Sequence, residues 1–197
     1  MRRFASLISL MVLPIVAQAE GVYLYGAVGG AEYGFSQNDA HAIAQSLVEA
    51  GARSASVYQE AAAGMFKLGI GVPITRFFAV EGGYTDLGSL HLSGMTTGPA
   101  SAFDAKQATS GYELALIGIH SLSSATSFFA RVGAYAWETA VDARISDGLA
   151  VVDARRAVDG ADLTFGFGLQ YADWRLEYQR YSLDRLDVDT FQIGYRF

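Results

Sequence analysis

Residues 163–183 read LTFGFGLQYADWRLEYQRYSL, and their alternation decides the kind of fold the chain takes. Leu163, Phe165, Phe167, Leu169 and Tyr171 fall on one side of a two-residue period, and Thr164, Gly166, Gly168 and Gln170 fall on the other. After the two-residue connection Ala172-Asp173, Leu176 and Tyr178 alternate with Arg175, Glu177 and Gln179. A period of two with one apolar side is a strand that buries or greases one face. Here the second face carries charge, so the two faces see different surroundings.

Working outward, the same rule recurs. In 65–72, MFKLGIGV, the residues Phe66, Leu68, Ile70 and Val72 oppose Met65, Lys67, Gly69 and Gly71. The terminal stretch 189–197, DTFQIGYRF, sets Phe191, Ile193, Tyr195 and Phe197 against Gln192, Gly194 and Arg196. A water-soluble domain usually frays into something polar at its end, and this one does not. In the first strand, 22–35, VYLYGAVGGAEYGF is aromatic and small on both faces, so pattern alone does not assign its lipid side.

The first 19 residues, MRRFASLISLMVLPIVAQA, have a basic start at Arg2 and Arg3, a short apolar run and the small-x-small pattern Ala17-Gln18-Ala19. This is the form of a secretory signal cleaved before Glu20. The expected mature chain, 20–197, is about 178 residues, one domain in size. Loss of Arg2 and Arg3 takes the net charge from −6 to −8. An acidic surface of this kind excludes nucleic acid as a partner, because phosphate neutralisation needs clustered Lys and Arg. The absence of Cys removes disulfides and thiolate metal sites. With 22 Gly, 11 Tyr, 12 Phe and only 3 Pro, the composition is odd for a soluble protein. No stretch after the signal approaches the roughly 18 apolar residues of a spanning helix, so a membrane crossing has to be made by strands.

Eight alternating segments are expected: 22–35, 60–72, 77–88, 110–121, 127–139, 161–172, 174–183 and 187–197. The number is even, as bacterial barrels require. Short connections alternate with three long loops, 36–59, 89–109 and 140–160, in the manner of periplasmic turns and extracellular loops. The fold class expected is therefore all-β, an eight-stranded antiparallel up-and-down transmembrane barrel. The first long loop carries a helix signal, with Asn38 or Asp39 as cap, Ile43 and Leu47 four apart, and Gly51 after the last turn.

The stretches FKLGIGVPITRFFAVEGGYTDLG at 66–88, FFARVGAYAWET at 128–139, FGFGLQYADWRLEYQRY at 165–181 and the final IGYRF resemble the eight-stranded membrane domain of the OmpA-type outer-membrane proteins. The resemblance implies residence in the outer membrane of a Gram-negative bacterium, and assembly by the barrel assembly machinery. The C-terminal aromatic strand, with Phe197, Tyr195 and Ile193, would be the signal that machinery reads. The chain ends at the barrel, so the peptidoglycan-binding domain that many relatives append is expected to be missing. The family's interior ion-pair network matches at Glu81, Arg131, Arg175 and Glu177. It departs near Ile117, where other members carry Lys, and near Gln170, where they carry Glu.

Ionisable side chains facing lipid are costly, so Lys67, Glu81, Glu113, Arg131, Arg175 and Glu177 should point into the barrel and pair as a static polar core. Acids beside Arg in such a lumen suit ion pairing better than catalysis. The three histidines, His41, His91 and His120, have no metal-ligand spacing. His120 with Ser121 and Ser123 invites comparison with barrel lipid A deacylases, but the His-x-Ser order is absent and His120 falls at the periplasmic end. No enzyme, cofactor or metal is expected. In the third loop, Arg144, Arg155 and Arg156 could meet lipopolysaccharide phosphates, with divalent cations bridging at acids; Asp184, Asp187 and Asp189 join the same rim. The leading function is a structural and surface-interaction barrel displaying loops to lipopolysaccharide, a host factor or a surface protein. The alternative is a narrow pore through the charged lumen, and a membrane enzyme acting on lipid ranks below it.

Overall fold

The alternation over 163–183 becomes two neighbouring antiparallel strands paired from Thr164↔Tyr181 to Tyr171↔Trp174. The computed structural model describes residues 21–34, 37–49, 51–60, 62–98, 101–146, 151–183 and 186–197. The expected signal sequence, 1–19, lies outside them. In chain order the elements are β1 (Tyr23–Tyr33), α1 (Gln37–Glu49), β2 (Ser54–Glu60), β3 (Ala62–Pro73), β4 (Phe78–Thr97), β5 (Ser101–Ser121), β6 (Thr126–Ser146), β7 (Val151–Tyr171), β8 (Trp174–Leu183) and β9 (Leu186–Arg196). Eight of the strands form a ring in the order β1-β3-β4-β5-β6-β7-β8-β9, which β9 closes against β1 through pairs such as Val28↔Ile193. β2 stands outside the ring and, among the described residues, pairs only with the far half of β4, from Ser54↔Thr97 to Glu60↔His91.

Large inward side chains fit a ring this narrow because glycine sits across from them. Tyr23 faces Gly71 and Tyr25 faces Gly69 across β1 and β3. Phe129 faces Gly168 and Trp137 faces Gly160 across β6 and β7. A Cβ built on any of these four glycines would land on the facing ring. The cross-strand aromatic therefore covers the glycine, the pairing that pins register in barrels.

β1 is now assigned. Tyr23, Tyr25, Ala31 and Tyr33 are buried inside the ring, while Leu24 and Val28 are exposed on its outer face at 58% and 60%. The apolar partners in the other strands share that outer face, among them Leu68, Leu114, Val132, Phe167, Leu176 and Phe191. An outer belt of this kind is stable only against hydrocarbon.

The second and third long loops expected from sequence are mostly strand. β4 continues to Thr97 and β5 starts at Ser101, where the expected segments stopped at 88 and started at 110. β6 runs to Ser146 and β7 starts at Val151, in place of 139 and 161. The pairing is unbroken from Ser121↔Ser127 to Ala102↔Ser146 and from Thr126↔Tyr171 to Ser146↔Val151. Apolar alternation fades there because both faces leave lipid, and period two in hydrophobicity reports surroundings while backbone pairing does not need it. Together with β2, these extensions make a five-stranded blade, β2-β4-β5-β6-β7, continuing roughly 30 Å past the ring at the rise of an extended strand.

A bulge marks the exit from ring to blade. The β4–β5 register shifts between Asp86 and Ser89, and Gly88 takes a φ of +74° that side chains rarely adopt. The Gly88 N–H donates to Asp86 Oδ1 at 2.7 Å, and the Tyr33 hydroxyl donates to the carbonyls of Leu87 and Gly88 at 3.2 and 3.3 Å. The extra residue shifts the alternation by one, so Leu87 and Leu90 are both buried while His91 is exposed.

α1 begins at Gln37, so Asn38 and Asp39 lie within its first turn, past the cap position. Ser36, the position before it, is outside the described residues. The C-terminal signal reads correctly: Gly51 has φ +112°, its N–H donates to Val48 O at 3.0 Å, and the Ala52 N–H donates to Leu47 O at 3.1 Å. That pair of bonds is the Schellman ending. α1 packs against β2.

Candidate functional site

Inside the ring three layers succeed one another. Toward the turns, Ala79, Ala115, Ile117 and Phe129 pack together. Toward the blade lies a larger apolar layer with Tyr33, Met65, Leu87, Leu90, Tyr135, Trp137, Tyr181 and Val188. Between them sit all six charged residues expected to face inward, each at most 8% exposed.

These six form one network. Arg131, from β6, reaches Glu177 at 2.6 Å, Glu113 at 3.2 Å and Glu81 at 3.7 Å. Arg175, from β8, holds Glu81 at 2.6 Å, and Lys67, from β3, holds Glu113 at 2.9 Å. Three acids balance three bases, so the network is neutral as a whole. Buried charges repay their desolvation only when further hydrogen bonds complete them. Here Gln179 accepts from Lys67 Nζ at 2.6 Å and donates to Glu113 at 2.7 Å, Thr164 donates to Glu113 at 3.0 Å, and the Tyr23 hydroxyl donates to Glu81 at 2.6 Å. The Arg175 guanidinium also lies over the Phe129 ring at 4.1 Å, joining the network to the apolar layer below.

Sequence reading missed Gln179, Thr164 and Tyr23 as partners in this network. Gln179 shares the parity of Arg175 and Glu177 on β8, and Thr164 lies on the face of β7 opposite its apolar stripe, which was the available signal; Tyr23 lies on the strand whose faces the pattern did not separate. Ile117, near which the family resemblance implied an interior Lys, is buried in the lower apolar layer. Gln170 lies at the turn end, donating to the Ala172 carbonyl at 2.9 Å. Beside Lys67, Arg175 and Glu177 a cavity of about 10 Å³ remains, which is about one water molecule.

At the turn rim, Tyr195 stacks edge-on between Trp174 and Phe197, with ring centroids 5.1 and 4.9 Å apart. The Phe197 N–H donates to Leu24 O at 2.8 Å, tying the last residue to β1. Ile193 faces outward in the belt.

The blade carries its charges in order. Arg144 bonds Asp153 at 2.9 Å, and Arg155 forms a short contact with Asp142. The register also sets Asp104 beside Arg144 and Lys106 beside Asp142. Two rows therefore cross three strands on one face: Asp104, Arg144, Asp153 and Lys106, Asp142, Arg155. The Arg155 guanidinium donating to Asp142 holds that carboxyl below its ordinary range. The arginines expected on a loop thus sit on strands, and Arg156 points to the face opposite Arg155 by alternation. At the ring's outer rim Asp189 accepts two bonds from Arg180 at 2.6 Å and one from the Tyr178 hydroxyl at 2.6 Å. Asp187 is exposed on β9, and Asp184 lies outside the described residues. His41, His91 and His120 fall on α1, β4 and β5, and among the described residues no group of His, Cys, Asp or Glu is placed to hold a metal ion.

A closed eight-stranded ring with a lipid-facing belt and a charged, paired lumen defines the class of outer-membrane β-barrels. The sequence matches the family described as OmpA-like transmembrane domain over residues 17–185, and the chain belongs to that family. No curated protein matches it significantly. Among solved structures it is similar to Ail, the attachment invasion locus protein of Yersinia pestis, at 16% identity over 89% of this chain and 98% of that one, with a TM-score of 0.43. The same protein in complex with the heparin analogue sucrose octasulfate gives 15% identity, 89% and 99% coverage and 0.43. The N-terminal barrel domain of Pseudomonas aeruginosa OprF gives 12% identity, 91% and 100% coverage and 0.45.

Proposed function

We propose that the chain, after export and cleavage of residues 1–19, is a filled outer-membrane barrel that anchors a rigid extracellular blade for surface interaction. The observation that carries this reading is the contrast between the two ends of the same strands. Within the ring the lumen is closed by two apolar layers and a neutral ion-pair network, leaving about one water's volume at the network. Beyond the ring β4 to β7 go on as the paired strands of a sheet that does not close on itself among the described residues. A filled lumen supports a structural role over conduction and over chemistry on lipid.

In this reading Arg156, Asp187, Asp189 and the paired Arg144 and Arg155 stand where lipopolysaccharide headgroups and external proteins would meet the molecule. Ile193, Tyr195 and Phe197 present the outward aromatic edge that the barrel assembly machinery would engage. The orientation is tested by trypsin treatment of intact cells. Cleavage at Arg144, Arg155 or Arg156 in intact cells is expected, and protection until the outer membrane is opened would overturn the reading.

A further inference from the structure

The two charge rows of the blade end at an open edge. From Val151 to Gly160, β7 pairs with β6 on one side, and among the described residues no strand pairs with the other side, since β8 joins only at Thr164. A run of free N–H and C=O groups is a template for one more strand. Read toward that edge, the first row is negative, positive, negative (Asp104, Arg144, Asp153), and the second is positive, negative, positive (Lys106, Asp142, Arg155). A strand that continued both rows would bring a cation opposite Asp153 and an anion opposite Arg155, two residues apart on one face.

β7 itself meets this description. An antiparallel second copy with Ala154 facing Ala154 puts Asp153 opposite Arg155 twice, and each row then runs on through six alternating charges. Facing residues have the same parity, as pairing through the same edge about a two-fold axis demands. The remaining pairs, Val151 with Ala157 and Val152 with Arg156, oppose no like charges. Registers centred on Arg155 or Arg156 set two arginines against each other, and one centred on Ala157 sets Arg155 against Asp159 but leaves Asp153 facing Ala161, so that only one of the two rows continues. Edges kept single by charge carry charges that repel a copy of themselves, and this one carries both signs in complementary order.

We propose that the free edge of β7 is a homotypic docking surface, occupied by β7 of a second copy about a two-fold axis at Ala154. β7 runs from the blade tip down into the ring, so an antiparallel copy belongs to a barrel in an apposed membrane, and the contact joins two membranes. This rests on the outward orientation of the blade given above.

The chain has no cysteine, which makes single-cysteine cross-linking clean. Facing Cα atoms in an antiparallel pair are about 4.5–5.5 Å apart, within disulfide reach. Purified Ala154→Cys in phosphatidylcholine–phosphatidylglycerol vesicles should shift on oxidation to a band of twice the monomer mass. Vesicles carrying Val151→Cys should cross-link to vesicles carrying Ala157→Cys when mixed, with neither dimerising alone. Heat-dependent gel mobility shows separately that each variant is a folded barrel. The proposal is overturned if Ala154→Cys dimerises no more than Ala102→Cys on β5, if Ala157→Cys alone dimerises as readily, or if dimers persist when vesicles are too dilute to touch. In vesicles shed from cells, cross-linking of Ala154→Cys to a different protein in place of itself would assign the edge to that partner and equally overturn it.

Discussion

Replacing Arg131 by Met removes the one cation that touches all three acids of the lumen, at 2.6, 3.2 and 3.7 Å, from a side chain with no exposure. The network then carries three acids against Lys67 and Arg175, an uncompensated negative charge between two apolar layers. Breaking a buried pair by deleting one partner costs about 3–5 kcal/mol, more than the pair contributes net, because the orphaned charge stays desolvated. With a urea dependence of about 2 kcal/mol per M for a protein of this size, the unfolding midpoint should fall by roughly 1.5–2.5 M. Adding Glu177→Gln restores balance, leaving Lys67 and Arg175 against Glu81 and Glu113, so the double variant should recover much of the loss. Unfolding from lipid vesicles can be followed by tryptophan emission, since Trp174 lies exposed at the turn rim and Trp137 is buried under the blade. A single variant within about 1 kcal/mol of the parent, or a double variant as unstable as the single, would refute the claim that the lumen is a balanced, closed network.

Other consequences are equally concrete. Leu176→Arg puts a cation on a residue 60% exposed in the lipid belt, two residues in from the turn-rim Trp174, and should cost about 1–2 kcal/mol in the same assay, between the midplane and interface values; an unchanged midpoint would mean that β8 is assigned inside out. Gly71→Ala drives a Cβ into the Tyr23 ring and should cost about 1–3 kcal/mol by overpacking, whereas Gly30→Ala, with nothing near its Cβ, should cost less than either; equal losses would remove the aromatic-over-glycine account. The Asp142 carboxyl is held low by Arg155, so its contribution is present above the unfolded carboxylate range, near pH 4, and is lost as pH falls through the lower folded value. Proteolysis of the blade should therefore accelerate only below about pH 4. Acceleration between pH 5 and 7 would point to another group.

Much of this was legible because charge and lipid impose opposite demands on alternate residues. Arg175, Glu177 and Arg131 could be placed inside from parity alone, since the other face of each strand is apolar. β1 could not be read, because Tyr23, Tyr25 and Tyr33 fill the inside with the residue type that elsewhere marks the lipid belt, while the outer face includes Gly26 and Gly30. The apolar layers around Leu87, Tyr135 and Tyr181 were hidden for the same reason: an apolar residue inside an apolar-coated strand has no contrast. The blade escaped because Asp142, Arg144, Asp153 and Arg155 look like a solvated loop until their register is seen, when they prove to be cross-strand partners. The bulge at Gly88 has no signature beyond a glycine after Asp86-Leu87, yet it turns Leu90 inward.

The most direct test of the central claim is the conductance of the refolded chain, residues 20–197, in a planar bilayer, with folding established by the mobility difference between unheated and boiled samples. A barrel filled by the Arg131 network and its two apolar layers predicts no discrete current steps from folded protein. Reproducible steps that disappear on boiling would contradict it and make the lumen a pore.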